Sequence, residues 1–155
     1  MNPDLDLQLS RVIRAPRARV WQAWTDPASL ERWFLPAPTH CRVERLEPRA
    51  GGAFLTQMRD EDGAAWGPHL DGCFLAAEPD ERLVFTTAIA ADWRPASPTI
   101  LMTAEVTLAD HADGTDYRVL VRHADPAARA QHEELGFELG WGTVTSQLAE
   151  LAEQG

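Results

Sequence analysis

The chain has 155 residues, of which 45% are hydrophobic, a length and composition that fit one domain with a full core. Its formal net charge is -10, and all 14 basic residues are arginine. Because an acidic surface repels phosphate backbones and anionic lipid headgroups, we expect neither a nucleic-acid partner nor a membrane-surface partner.

The N-terminal segment, residues 1–10, has no basic start and no apolar stretch of the kind found in secretory signals. We therefore predict a cytoplasmic protein in which residues 1–155 form one domain. Cys41 and Cys73 each lie in a predicted strand, and in a reducing compartment we expect two small buried side chains. The alternative, a redox pair, requires the two cysteines to be adjacent in space.

The first part of the chain predicts one strand followed by two short helices. The strand covers Leu5 to Arg14, and Pro16 suits the first turn of a helix that runs to Trp24. Asp26-Pro27 then begins a second short helix, with Asp26 as N-cap, and we expect Leu30 and Phe34 to face inward.

The middle of the chain predicts an antiparallel meander, because strand-like segments alternate with short turns. The predicted strands are residues 40–46, 53–59, 66–77, 82–88, 100–109 and 117–123. Residues 60–63, Asp-Glu-Asp-Gly, predict a hairpin turn, and a bulge is expected near Gly67-Pro68 or Gly72. Residues 93–98 contain two prolines and therefore predict a loop.

A long helix is predicted from Asp125-Pro126 to about Glu153. Its apolar residues recur at three- and four-residue spacing and form one stripe, made of Phe137, Trp141, Val144, Leu148 and Leu151. Gly136 and Gly140 lie beside this stripe, and each costs about 1 kcal/mol in helix propensity relative to alanine. We expect a break near Gly136 and a close approach of the helix to the sheet at Gly140.

These elements indicate an α+β fold in which a curved antiparallel sheet of six or seven strands wraps around the C-terminal helix. The end where loops and short helices meet is the expected place for an apolar cavity. The candidate cavity residues are Trp33, Phe54, Trp66, His69, Phe85, Trp93, Met102, His123, His132, Phe137 and Trp141. For Trp33, Trp66 and Trp141 a place in the core is the alternative, and Trp93 is a candidate for the rim or a lid.

Several segments, in order along nearly the whole chain, resemble the START-like (SRPBCC) superfamily, and within it the AHSA1-like branch named after homologues of the Hsp90 ATPase activator. They are residues 13–16 (IRAP), 20–27 (VWQAWTDP), 30–34 (LERWF), 47–52 (EPRAGG), 81–86 (ERLVFT) and 136–141 (GFELGW) with Leu148. The resemblance implies the helix-grip fold and an internal cavity for a small, mostly apolar molecule.

The function that the resemblance implies is broad. Families on this fold include lipid and polyketide binders, cyclases and hydroxylase subunits, and the co-chaperone name implies a link to stress responses. The eukaryotic co-chaperones carry a further N-terminal domain that this sequence lacks, so we do not expect direct activation of Hsp90. A homodimer is expected as a common assembly, although no residue specifies its interface.

Motifs for metal, phosphate or nucleophilic chemistry are incomplete. His132-Glu133 begins the zinc motif H-E-x-x-H, but its last position is Gly136, and the Asp60 to Gly63 turn lacks the further ligands of a calcium loop. No complete catalytic motif occurs, and we expect neither a metal nor a cofactor.

Three histidines are predicted at the same end of the fold. Three roles are open for His69, His123 and His132. They could converge as a proton-transfer or metal site, they could orient a polar group of a ligand, or they could simply hydrogen-bond the backbone and cap loops.

The leading hypothesis is therefore a binding protein for a small hydrophobic molecule. A second is a cyclase- or hydrolase-type enzyme that uses these imidazoles. A third is a co-chaperone-like interaction module with an exposed apolar patch.

Overall fold

The computed structural model describes residues 1–154, and its main feature is one antiparallel sheet of seven strands. The strands are β1 (Asp6–Ile13), β2 (His40–Leu46), β3 (Ala53–Arg59), β4 (Gly67–Glu78), β5 (Arg82–Thr86), the two-residue pair β6 (Ile89–Ala90) and β7 (Arg94–Pro95), β8 (Thr103–His111) and β9 (Gly114–Arg122). The seven-stranded sheet has the order β1-β9-β8-β5-β4-β3-β2, so β1 and β2 are its edges. β6 pairs only with β7.

Four α-helices complete the fold, and their starts follow local capping chemistry. They are α1 (Arg17–Thr25), α2 (Pro27–Leu30), α3 (Pro126–Glu134) and α4 (Phe137–Gln154). The Asp26 and Asp125 carboxylates accept hydrogen bonds from the backbone N–H groups of Ser29 and Ala128, and each is followed by a proline that fits the first helical position. The α+β helix-grip prediction is thus confirmed.

The core lies between the sheet and the helices. The alternation in β8 and β9 places Val106, Tyr117 and Val119 on the buried face. Trp24 of α1 reaches the same region, and its Nε1–H donates to the Tyr117 hydroxyl at 3.2 Å. α4 contacts α1 and β1, and Leu148 is fully buried there. This arrangement fixes α4 against one side of the sheet.

β5 and β8 are shorter at their facing ends than the sequence predicts. β5 ends at Thr86 rather than Ala88, and β8 begins at Thr103 rather than Ile100. The Thr87 hydroxyl donates to the Ile100 carbonyl at 2.6 Å and accepts from the Met102 N–H at 3.0 Å. The Thr87 backbone N–H also donates to the Met102 carbonyl at 3.0 Å, so side-chain hydrogen bonds supplement the backbone pairing beyond the end of the ladder. Residues 93–98, predicted as a loop, include the short strand β7 and the end of a 3-10 turn at Ala91–Trp93.

The predictions for Gly136 and Gly140, in the C-terminal helical region, have different outcomes. Gly136 separates α3 from α4 with a φ of +99°, which confirms the predicted break. The close approach expected at Gly140 is wrong, because a Cβ built there would meet no atom within 4 Å. Gly140 thus leaves space between α4 and the sheet instead of bringing the two together.

No helix in the part of the chain that the structure describes is long and apolar enough to cross a membrane.

Candidate functional site

A cavity of about 290 Å³ lies beside the N-terminal half of α4. It is bounded by α4, the α3–α4 corner, the segment after α2 and residues of β4 and β5. Its lining is mostly apolar and consists of Phe34, Leu35, Pro36, His69, Leu70, Phe85, Ile100, Met102, His132, Leu135, Gly136, Phe137, Gly140, Trp141 and Val144. The volume is at the lower end of the range for small-molecule sites.

The helical stripe explains why this space stays open. Phe137, Trp141 and Val144 line the cavity, whereas Leu148, one turn further along α4, is fully buried in the core. Gly140 lies within the stripe and contributes no side chain. The stripe therefore faces the sheet over its length but fills the interface only at its C-terminal end.

His69 reaches the cavity because of a bulge in β4. Thr56 of β3 pairs with Leu70 and the next residue pairs with Pro68, so His69 is the extra residue on β4. Its Nδ1 lies 2.8 Å from the Thr56 hydroxyl, and its ring contacts Phe34 edge-on. The bulge lies at the position predicted beside Gly67-Pro68, and it directs an imidazole to the cavity.

His132 and His123 form a hydrogen-bonded pair at the α3 side of the cavity. Nε2 of His123 lies 2.9 Å from Nδ1 of His132, and Nδ1 of His123 lies 2.8 Å from the Leu5 carbonyl oxygen. The His123 backbone N–H donates to the same carbonyl at 3.2 Å. Both histidines are buried, but only His132 lines the cavity. His123 therefore supports His132 from behind.

Both imidazoles that line the cavity are held in the neutral form near pH 7. Burial, reinforced by the neighbouring His123, lowers the pKa of His132 to about 4. His69 is solvent-exposed and lines both cavities, yet desolvation by the surrounding protein lowers its pKa to about 4 as well. At neutral pH the cavity thus presents two uncharged rings.

A second, more polar cavity of about 560 Å³ lies next to the first. The two cavities share His69, Leu70, Ile100 and Met102. Trp66 belongs to this second cavity, where the guanidinium groups of Arg42 and Arg59 lie 4.6 and 4.5 Å from its ring. His69, Leu70, Ile100 and Met102 thus form the wall between the two cavities.

Six of the eleven predicted cavity residues line the cavity beside α4, namely His69, Phe85, Met102, His132, Phe137 and Trp141. Trp33 and Phe54 lie in the core, where Trp33 Nε1–H donates to the Ala23 carbonyl at 2.9 Å. They form an aromatic cluster with Trp24 and Phe34, and only Phe34 of these reaches the cavity lining.

Trp93 lies outside both cavities. Its ring packs on Gly51, where a Cβ would come within 2.9 Å of the indole, and 53% of the residue surface stays exposed. Asp92 N–H also donates to the Gly51 carbonyl at 3.0 Å. Trp93 is thus a surface contact between two turns, and the prediction of a rim or lid position does not describe it.

Sequence reasoning missed part of the lining. Leu35, Pro36, Leu70, Ile100, Leu135 and Val144 were not proposed as cavity residues. One usable signal was present, because Gly136 and Gly140 interrupt a helix that would be more stable without them. From the sequence we expect Gly140 to mark a close contact between helix and sheet, although a need for unfilled space accounts equally well for a glycine that lowers helix stability.

The cysteines and the candidate metal ligands do not add a second kind of site. Cys41 on β2 and Cys73 on β4 are both free and buried, and β3 separates their strands. Burial, together with the nearby Glu31 carboxylate, raises the pKa of the Cys41 thiol to about 12, which disfavours the reactive thiolate. Within residues 1–154, no three side chains of the His, Cys, Asp and Glu types gather closely enough to hold a metal.

Comparisons with known proteins agree with the fold. The model of the family described as "Activator of Hsp90 ATPase homolog 1-like protein" matches residues 14–153. A crystal structure of a protein from Nitrosomonas europaea is 39% identical, with a TM-score of 0.88, and the match covers 99% of this chain and 97% of that one.

A protein from Chromobacterium violaceum is 26% identical, with a TM-score of 0.73 and coverage of 96% and 97%. An AHSA1-like protein from Aeromonas hydrophila shares the fold at 21% identity, with a TM-score of 0.73 and coverage of 97% and 93%. No curated protein matches the chain significantly.

Proposed function

The chain belongs to the family of Activator of Hsp90 ATPase homolog 1-like proteins, and from its cavity we propose that it binds one small, mostly apolar molecule beneath α4. The family has the SRPBCC fold, which commonly binds hydrophobic ligands. The proposal depends on one observation: the apolar stripe of α4 faces the sheet but leaves about 290 Å³ unfilled at Gly140.

The chemistry of the lining supports an apolar ligand. Phe34, Phe85, Phe137 and Trp141 supply aromatic walls, and the two histidines are uncharged near pH 7. An ionised ligand would lose its hydration without gaining a charged partner from this lining, which is costly. Two free, buried cysteines fit a reducing compartment, so we place the binding protein in the cytoplasm.

Naphthalene provides a direct test, because it is apolar, rigid and small enough for a cavity of this size. We expect saturable one-site binding by isothermal titration calorimetry. Gly140→Leu places an isobutyl group in the cavity and should weaken binding about tenfold or more, the equivalent of about 1.4 kcal/mol.

Gly142→Leu is the matched control, because Gly142 lies on the same helix, has no atom within 4 Å of a built Cβ and does not line the cavity. Equal weakening in the two variants, or no binding by the unmodified protein, would contradict the proposal.

A second candidate function is general acid–base catalysis in the same cavity. It is favoured by one observation, that His69 and His132 both line the cavity. A neutral imidazole can activate water for ester hydrolysis, so 2-naphthyl acetate is a suitable probe. If the protein hydrolyses this ester no faster than an equal concentration of free imidazole, the hydrolase hypothesis fails.

A further inference from the structure

The hydrogen bonds behind His132 fix which of its nitrogens carries a proton. The Leu5 carbonyl can only accept, so Nδ1 of His123, 2.8 Å away, must carry hydrogen. If that hydrogen is the only one on the ring nitrogens, Nε2 of His123 has a lone pair and accepts. Nδ1 of His132 lies 2.9 Å from that lone pair and is therefore the donor between the two rings.

This assignment leaves Nε2 of His132 as a free acceptor. In a neutral ring with the proton on Nδ1, Nε2 holds a lone pair. It makes no hydrogen bond to any other group within residues 1–154, while the ring itself lines the cavity and contacts Phe137 edge-on. His132 thus offers the cavity an oriented acceptor whose direction is set from behind by His123 and the Leu5 carbonyl.

We propose that the His132–His123 pair is a preformed hydrogen-bond acceptor that selects an uncharged aromatic hydroxyl compound, a phenol or naphthol, as the ligand of this cavity. The inference rests on the proposed function, since it names the ligand class of the same site. The aromatic walls favour a planar ring, and the free Nε2 requires a donor on that ring.

The same geometry excludes carboxylates. A carboxylate oxygen and Nε2 of His132 are both acceptors, so they repel each other when no proton lies between them. Burial holds His132 in the neutral form, so it does not supply that proton at neutral pH. The formal net charge of -10 adds a long-range penalty for an anion.

His123 acts here as a positioning residue. It does not line the cavity, and its effect on a ligand passes through Nδ1 of His132. Long-range proton–nitrogen correlation spectra of histidine-labelled protein report this arrangement directly. We expect a protonated Nδ1 and an unprotonated Nε2 in His132, and the same pattern in His123. The opposite tautomer of His132 would overturn the proposal without any ligand being present.

Three probes with the same ring system separate this inference from the proposed function. At pH 7.5 we expect 2-naphthol to bind about tenfold more tightly than naphthalene, as one net hydrogen bond allows, and 2-naphthoate to bind most weakly. If none of the probes binds, the proposed function fails and this inference fails with it. If naphthalene binds and 2-naphthol gains nothing, only this inference fails.

The variant His132→Phe keeps an aromatic ring and removes the acceptor. Whatever its affinity for naphthalene, we expect this variant to lose the preference for 2-naphthol, so that its two dissociation constants become about equal. A preference that persists in this variant would assign the hydroxyl to another group. If the variant does not fold by circular dichroism, the tautomer spectra and the three-probe comparison on the unmodified protein still decide the proposal.

Discussion

The side chain of Gln147 on α4 holds the backbone of Leu35 at the edge of the cavity. Its Nε2–H donates to the Leu35 carbonyl at 2.8 Å and to the Trp33 carbonyl at 2.9 Å, while its Oε1 accepts from the Ala37 N–H at 2.9 Å. One amide thus satisfies three backbone groups in the segment that supplies part of the lining.

Gln147→Met should therefore destabilise the protein by about 1–3 kcal/mol, because three backbone groups lose a partner while helix propensity and side-chain length are nearly unchanged. Urea denaturation measures the loss, and faster amide exchange at Ala37 should accompany it. Glu150→Gln, at an exposed position of α4, is the control and should change stability little. Equal stability of both variants would show that the three hydrogen bonds of Gln147 contribute nothing to stability.

The three glycines of the C-terminal helical region should respond differently to alanine. Gly140→Ala and Gly142→Ala should each stabilise the protein by up to about 1 kcal/mol, since both sites are helical and have room for a Cβ. Gly136→Ala should destabilise by about 1 kcal/mol or more, because φ is +99° there. Thermal unfolding of the three variants checks the order, and a stabilised Gly136→Ala would refute the strained-break interpretation.

Stability should fall as the pH decreases from 7 to 5, because the pKa values of His69 and His132 are both lowered in the folded protein, and the contribution of His132 can be tested separately. Its pKa is about 4 in the folded protein and about 6.5 when unfolded, so the unfolded chain binds more protons between these values. Stability is therefore fully present above pH 6.5 and is lost as the pH falls towards 4. By pH 5 the loss from this residue should be on the order of 2 kcal/mol.

Comparison of His132→Phe with the unmodified protein isolates the contribution of His132. Only the slopes of stability against pH between 7 and 5 are compared, so any change in stability that does not depend on pH cancels. Glu47, Glu78 and Glu105 all have a pKa below the ordinary 4.5, so these carboxylates titrate below the window. Urea titrations at several pH values give the two slopes. Parallel slopes would mean that His132 does not titrate with a lowered pKa.

Tyr117→Phe should destabilise the protein by about 1–3 kcal/mol although it removes only one oxygen atom. The Trp24 indole N–H donates to the Tyr117 hydroxyl, and both residues are almost fully buried. Without that oxygen the indole N–H lies in the core with no partner, which costs more than the hydrogen bond contributes. Guanidinium denaturation followed by tryptophan fluorescence measures the change, and a loss below about 0.5 kcal/mol would contradict this account.

Much of the fold was predictable because local patterns determine it. β2 and β3 have the predicted bounds, His40–Leu46 and Ala53–Arg59, since alternation and flanking turn residues both act within a few residues. The break at Gly136 was likewise visible as a glycine in the interior of a helical pattern. These signals come from neighbours in sequence.

The site was less predictable because it depends on contacts between distant segments. The sequence suggested that His123 and His132 share one end of the fold, but the 2.9 Å contact between their rings and the role of the Leu5 carbonyl follow only from the tertiary structure. Trp93 was expected near the cavity, and its contact with Gly51 has no local signal. The role of Gly140 also follows only from the tertiary structure, because a glycine in a helix is compatible both with close packing and with open space.

The position of β1 beside β9 has a consequence for the order of folding. Asp6 pairs with Arg122, so this edge of the sheet closes only after nearly the whole chain has been gathered, whereas β2 to β5 are joined by short hairpins. In pulse-labelled refolding, amides of the hairpins should become protected before those of β1. His123 is held by the carbonyl of Leu5, the residue directly before β1, so the ligand-selecting acceptor should be among the last features to assemble.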